Sequence, residues 1–433
     1  MSDTVAPWKL GLLGGLASYI DAATIVAVAV VLPIWQARYG LSPLEVGAAS
    51  AGLALAIGIG SIVGGRLGDR VGRKRIYTAD LLVYAASLVL VVFAANPAML
   101  LAGVVVAGLA VGADVPTSLA LVGELAPTGK RGRLIAATQL LWTMGPVVVT
   151  LLAALFGGPL GADLPALLFG HLFVVALVAW VLRHGLAESG VWAAARGRAE
   201  GRASTRGLWS PPVLRALAFT TTFYLLLCLA ATFAGSFGTY LLVSVGGLTI
   251  DGAATVALVG VPFALAAVVT VMRLLDTAAR RPMFYLGSVL SVGAWLLPIA
   301  ADGAVWSLVA AILVYTVGAV FAGEPHYKLW SQELFPTLVR GASQGISFGV
   351  ARLVSSVFLL FVPTLLALDF VVVLWLVTGF TAAYAVLGAL FMPRRQNRSI
   401  GEIDAELGAR PAGNALQRHS TEIGQETGQR IPY

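Results

Sequence analysis

The segment Gly64 to Arg75 (Gly-Gly-Arg-Leu-Gly-Asp-Arg-Val-Gly-Arg-Lys-Arg) returns in worn form at Arg273 to Arg281, where the spacing of Asp69 and Arg73 reappears as Asp276 and Arg280. A second segment, Glu124 to Gly132, returns as Glu333 to Gly341, with Pro127 and Pro336, and Arg131 and Arg340, in matching places. The two offsets, 207 and 209 residues, are nearly equal, so the chain is one half written twice. Every copy stands between long apolar runs. Each is therefore a short charged loop joining helices at one face of a membrane, and the two halves run parallel.

The apolar runs make the bilayer the solvent. Only 11% of residues are charged and 58% are apolar, against roughly 25% and 45–50% in soluble domains. Stretches near the length needed to cross a bilayer fall at 10–37, 43–66, 78–95, 98–122, 134–157, 164–183, 216–243, 251–273, 282–300, 304–330, 341–367 and 369–391. The expectation is an all-α membrane protein of twelve transmembrane helices in two six-helix halves. The first half occupies 1–183, a linker rich in Arg, Ala, Gly and Ser occupies 184–215, and the second half occupies 216–392. Within the linker, Val191 to Arg198 is expected as a short surface helix. The tail 393–433 is polar and poor in aromatics, so it is expected to be disordered after a short helical start. Cys228, the single cysteine, excludes an intramolecular disulfide and a Cys-based metal cluster. Met1 to Trp8 lacks the basic run of a cleavable signal peptide.

Lys and Arg crowd into alternate loops, at Arg66–Arg75, Lys130–Arg133, Arg183–Arg215, Arg273–Arg281, Arg340 and Arg394–Arg398. The opposite loops carry Asp163, Asp251, Asp302 and Asp369. This asymmetry predicts that the basic face, and with it both termini, is cytoplasmic, in the cell (inner) membrane. The net charge of +7 is accounted for by that pattern and not by a nucleic-acid partner.

Gly65-x-x-x-Asp69-Arg70-x-Gly72-Arg73-Lys74 resembles the loop between helices 2 and 3 of the major facilitator superfamily. Glu124-x-x-Pro-x-x-x-Arg131-Gly132 and its copy at Glu333 resemble the loops after helices 4 and 10 in the sugar-porter and metabolite:proton symporter branches. Leu186-Ala-Glu188-Ser189 with Trp192 is similar to the Pro-Glu-Ser-Pro-Arg-Trp stretch after helix 6 there. Gln139 matches the place of a substrate-binding Gln in helix 5 of sugar porters. There are departures. Val104 stands where sugar porters carry an Arg, and Thr24 where they carry a coupling Asp, with Asp21 one turn earlier. Their Gln-Gln and Asn signature is absent from Thr220 to Tyr240. Gly112-Ala-Asp114-Val-Pro116 is similar to the Gly-Gly-Asp-Tyr-Pro segment of phosphate:proton symporters, with Val115 in place of Tyr. The resemblance implies secondary transport by a protein without metal or cofactor, working as a monomer on protons and a small molecule.

Ionisable groups inside the bilayer cost ~2.5–3.5 kcal/mol or more and need a reason. Counted along their helices from the basic face, Asp21, Asp114, Glu324 and Arg352 lie ~13–18 Å deep, near mid-bilayer. Asp21 and Asp114 are expected to carry the coupling proton, since burial favours a neutral carboxyl. Gln139, Trp142, Glu324, Arg352 and Tyr240 are expected to line the substrate site, with Glu324 and Arg352 paired and Pro325 opening helix 10 beside them. Asp80 and Lys328, ~7 Å from the basic edge, read as structural or snorkelling groups. Asp69, Arg70, Arg73, Glu124 and Arg131, with Asp276, Arg280, Glu333 and Arg340, are expected to gate: Glu124 with Arg70 or Arg131, and Glu333 with Arg280 or Arg340. The four histidines, at 171, 184, 326 and 419, fall on separate segments, so a metal or Ser–His enzyme site is not expected. The favoured function is proton-coupled uptake of a sugar or polyol. An organic or inorganic anion symporter and an exporter of drug-like compounds are the alternatives.

Overall fold

The computed structural model describes residues 7–127, 129–184, 188–198, 207–393 and 401–404. A chain in hydrocarbon must satisfy its backbone polar groups internally, and the described residues are accordingly helical, without a strand. In the first half the helices are α1 (Pro7–Tyr39), α2 (Pro43–Val71), α3 (Arg73–Val92), α4 (Pro97–Leu125), α5 (Arg131–Leu160) and α6 (Leu164–His184). The linker contributes α7 (Gly190–Arg198), the expected short helix. The second half follows as α8 (Pro211–Tyr240), α9 (Ile250–Leu274), α10 (Arg280–Ala300), α11 (Val305–Ala322), α12 (Glu324–Glu333), α13 (Arg340–Leu368) and α14 (Phe370–Phe391). Among the described residues, eleven apolar stretches are long enough to cross a bilayer. One of them, Arg131–His184, is two helices turned back on each other at Gly161–Asp163, so twelve crossings result.

Local chemistry sets the ends. Ser42 and Glu45 form a reciprocal capping box at the start of α2, Asn96 caps α4, and Asp369 caps α14. Between α2 and α3 the chain turns at Gly72, φ 120°, where a Cβ would meet Glu188 Oε2 at 2.4 Å; only glycine fits there. The tenth span breaks as expected. The break lies at Gly323, and Pro325 sits in the first turn of α12, where its missing N–H costs nothing.

The repeat governs how the halves meet. In the first half α2 packs on α4 and α1 on α5; across the interface α2 packs on α13, and α5 packs on α9. The second helix of each half thus meets the fifth of the other. Along α2 and α13 the backbones nearly touch: a Cβ on Gly65 would lie 2.2 Å from the Gly341 carbonyl, and one on Gly345 2.2 Å from that of Ser61. Expected linker residues 185–187 and 199–206 and tail residues 394–400 and 405–433 lie outside the described set. Residues 401–404 are helical. There Ile403 is fully buried, and Asp404 accepts hydrogen bonds from the Thr337 amide and hydroxyl at 2.7 Å each, so this part of the tail is fixed to the basic face.

Candidate functional site: a central polar cluster and a latched basic face

Two sets of polar residues join the halves. The first is at mid-depth. Asp21 on α1 accepts from Arg352 on α13 at 3.0 Å and from the Trp142 indole on α5 at 3.3 Å. Lys328 on α12 donates to the side-chain carbonyl of Gln139 on α5 at 3.3 Å and pairs with Glu324, one turn away, at 3.1 Å. Tyr224 on α8 donates to Glu324 at 3.4 Å and stacks on Tyr327 at 3.9 Å. The side chains of Glu324 and Arg352 retain 18% and 23% exposure, so the cluster is reached by solvent even though Asp21, Lys328 and Gln139 are buried. It holds two carboxylates, two cations, an amide, an indole and a phenol. That set offers donors and acceptors in several directions while its charges cancel.

Four expectations change here. Arg352 pairs with Asp21 across the halves and not with Glu324, whose cation is Lys328. Depth along a helix says nothing about which way a side chain points around it. Lys328 belongs to the cluster and not to the edge, because its long side chain runs up the helix by a turn to Glu324 and across to Gln139. Its spacing of four from Glu324 was the available signal. Tyr240 is separated from the cluster: it ends α8, ~24 Å along the helix from Tyr224. It is 45% exposed, with its ring against Phe237.

Asp114 is the fourth. It is not a lone acid: Arg183, from the last turn of α6, reaches in to bond it at 2.9 Å and Asp80 at 3.4 Å, and stacks its guanidinium 3.4 Å from the Tyr77 ring centre. Arg183, read from sequence as part of a basic loop, is wholly buried. Two acids on neighbouring spans with no cation of their own were the sign that a third helix had to supply one.

The second set closes the basic face. Asp69, at the end of α2, accepts from the Gly341 and Ala342 amides at 3.1 and 2.7 Å, the first turn of α13 in the other half. Asp276, in the loop between α9 and α10, accepts from the Gly132 and Arg133 amides at 2.8 Å each, the first turn of α5. The exposed amides and the dipole of a helix N-terminus favour an anion. Burial pushes the Asp276 carboxyl up from its ordinary value, and the Arg133 and Gly132 amides oppose the shift. Arg73 bridges Asp69 at 2.8 Å and Glu124 at 3.1 Å, and also donates to the Thr337 carbonyl. Arg340 reaches across the halves to Glu124 at 3.1 Å. In the second half Arg280 grips Glu333 with two bonds, 3.0 and 2.8 Å. Arg131 donates to the Gly123 carbonyl at 3.1 Å. Arg70 does not take up Glu124: it is exposed, and its carbonyl accepts from Arg196. Glu188, Trp192 and Ser189 support the turn, with Glu188 accepting from the Arg73 and Lys74 amides and Trp192 donating to the Asp69 carbonyl at 3.0 Å.

Two parallel six-helix halves, a polar cluster between them at mid-depth and a charged latch at one face define an alternating-access carrier. The model of the Major Facilitator Superfamily matches residues 11–359, and the chain belongs to that family. It is a transmembrane transporter of a small molecule and not an enzyme, as the sequence implied. Across 96% of its length it is 32% identical to the minor myo-inositol transporter IolF of Bacillus subtilis, covering 97% of that protein. It is 25% identical to the glucose transporter GlcP of Staphylococcus epidermidis over 81% of this chain and 86% of that one. Among solved structures, the proton:xylose symporter XylE bound to 6-bromo-6-deoxy-D-glucose superposes with a TM-score of 0.80 at 15% identity, over 93% of this chain and 99% of that one.

Proposed function

We propose that the protein is a proton-coupled importer of a neutral cyclic polyol, with myo-inositol as the first substrate to test. The observation that carries the reading is the charge balance of the central cluster: Asp21 with Arg352 and Glu324 with Lys328 leave no net charge for a substrate to neutralise. Gln139, Trp142 and Tyr224 add an amide, an indole and a phenol at the same site. A ring of hydroxyls can exchange hydrogen bonds with such a set from all sides. An organic or phosphate anion would find both cations there already matched by carboxylates, with no net positive charge to hold it. The relative named for myo-inositol transport supports the choice within polyhydroxylated substrates.

In this mechanism Asp21 carries the proton. Ionised, it holds Arg352 and so ties α1 to α13. Protonated, it loses the charge that holds the guanidinium, and the two halves are free to rock about the cluster. The basic face is cytoplasmic by the distribution of Lys and Arg, and its latch is shut here, so the cluster faces outward in this state. The chain acts as a monomer with the two six-helix halves as its moving parts.

Uptake of labelled myo-inositol by proteoliposomes, with and without an inwardly directed proton gradient, tests the proposal. Accumulation that collapses with the gradient and is competed by other inositols more strongly than by glucose is the expected result. Failure to transport any inositol overturns the substrate, and accumulation indifferent to the gradient overturns the coupling.

A further inference from the structure

The cluster around Arg183 is outside the transport path just described, yet it is built from charges buried at a depth where they are costly. Arg183 offers one positive charge to two carboxylates, Asp80 on α3 and Asp114 on α4. Arg183 has no exposed surface, and the two acids are 7% and 2% exposed. Of the four carboxylate oxygens, Asp80 Oδ2 and Asp114 Oδ1 are buried without a hydrogen-bond partner among the described residues. Among the described residues, the other ionisable groups that act on the pair do not add positive charge. Tyr77, on α3, uses its hydroxyl to donate to the Leu13 carbonyl at 2.7 Å, and Asp21, on α1, adds a negative field at Asp114. With both carboxylates ionised the cluster would hold one uncompensated negative charge in a low-dielectric interior. With one proton it is neutral.

We propose that Asp80 and Asp114 together form a proton-binding site, holding one proton between them over Arg183, and that loss of this proton loosens the latch on the basic face. The link is mechanical. Asp80 lies ~10 Å along α3 from Arg73, and Asp114 ~15 Å along α4 from Glu124. Arg73 and Glu124 are the ion pair at the base of the latch. When the proton leaves to water at the basic face, two like charges share one guanidinium and push α3 and α4 apart at the point behind that pair. The second helix cannot absorb the movement, because α2 is backbone-tight against α4: a Cβ on Gly60 would sit 2.2 Å from the Leu109 carbonyl and one on Gly112 2.1 Å from that of Ile57. The ligand is a proton and the site is distinct from Asp21. The inference rests on the protein being a transporter with a closing basic face, and not on its substrate.

The test uses the full-length protein in lipid nanodiscs without substrate. Infrared pH-difference spectra are expected to contain a protonated-carboxyl stretch that persists at neutral pH and is lost on alkalinisation. In Asp80→Asn that band disappears, because Asp114 is left one-to-one with Arg183 and ionises. In Arg183→Gln it grows, because neither acid keeps a cation. In parallel, the distance between two spin labels on the basic-face ends of α3 and α9, in a Cys228→Ser background, reports opening. The wild-type open:closed ratio rises with pH by up to about tenfold per unit while the site titrates, the limit for one linked proton. In Asp80→Asn this dependence flattens. A spectrum of Asp80→Asn identical to wild type, or an opening curve whose pH dependence survives the substitution, overturns the proposal. Neither readout depends on inositol transport, so failure here is separate from failure of the substrate assignment.

Discussion

Asp69 and Asp276, equivalent positions of the sequence repeat, make the same contact in opposite directions. Each carboxylate accepts from two consecutive amides at the N-terminus of a helix in the other half, Gly341 and Ala342 of α13 for Asp69, Gly132 and Arg133 of α5 for Asp276. The surroundings differ. Asp69 continues through Arg73 to Glu124 and across to Arg340, whereas Arg280, the counterpart of Arg73, is committed to Glu333 within its own half. The repeat thus supplies two latches, and the one on α2 runs on through Arg73 and Glu124 to Arg340 of the other half.

The first prediction follows from that inequality. A charge at a helix N-terminus contributes ~0.3–1 kcal/mol when exposed and up to ~2 kcal/mol when partly buried. Asp69→Asn should shift the protein towards opening at the basic face by up to about 30-fold, 2 kcal/mol expressed as a ratio, and Asp276→Asn by less. Spin-label distances across the basic face measure the shift. Substrate affinity in the outward-facing state should stay near wild type, because neither residue is in the central cluster; an affinity loss larger than the conformational shift would refute the assignment of the latch to gating.

The pairing of Asp21 with Arg352 gives the second. Removing one member of a buried pair strands the other, at ~3–5 kcal/mol for a fully buried pair, and less here because Arg352 is partly exposed. Asp21→Asn and Arg352→Gln should each lower thermal stability, and the double variant should recover much of the loss without recovering accumulation of substrate. The same cycle between Glu324→Gln and Arg352→Gln should show a smaller coupling, since the two share the cluster without pairing. A larger coupling for Glu324 than for Asp21 would mean that the guanidinium changes partners in the membrane.

Gln139 links the halves in the central cluster through Lys328. Gln139→Ala should weaken equilibrium binding of myo-inositol by ~1–3 kcal/mol, the range for loss of a buried hydrogen-bond partner, through the Lys328 donor it strands as well as any bond to substrate. Tyr240→Phe, at the far end of α8, should leave binding unchanged. Calorimetric titration of detergent-solubilised protein decides between them, and equal effects from both substitutions would remove Gln139 from the binding site.

A fourth prediction tests the backbone contact of α2 with α13. Gly65→Ala places a Cβ 2.2 Å from the Gly341 carbonyl, so the latch cannot close to its present geometry and the basic face should stand open. Gly379→Ala on α14 meets nothing within 4 Å and should raise stability by about 0.5–1 kcal/mol through helix propensity. Cysteine cross-linking between the basic-face ends of α2 and α13 measures the first; an undiminished yield in Gly65→Ala would show that the helices separate and rejoin without this contact.

The sequence by itself determined the helical membrane class, the crossings, the repeated halves and, Arg70 excepted, most of the charged residues that meet at the basic face. These are properties read along one dimension: run length against bilayer thickness, the spacing of Asp69 to Arg73 and of Glu124 to Arg131, and their recurrence in the second half. Gln139 and Trp142 were legible as members of the central cluster, Gln139 through the resemblance to sugar porters and Trp142 through its spacing of three from it. What only the tertiary structure decided is which charges meet. Height in the bilayer put Asp21, Asp114, Glu324 and Arg352 at one level, but the rotation of each helix about its axis, and the approach of one half to the other, gave Arg352 to Asp21. The approach of α12 to α5 brought Lys328 to Gln139, and the end of α6 sent Arg183 inward to Asp80 and Asp114. A buried charge falls off steeply in energy with distance to its counter-charge, so partnership is settled by a few ångströms between helices far apart in the chain, a quantity to which a linear pattern of residues has no access.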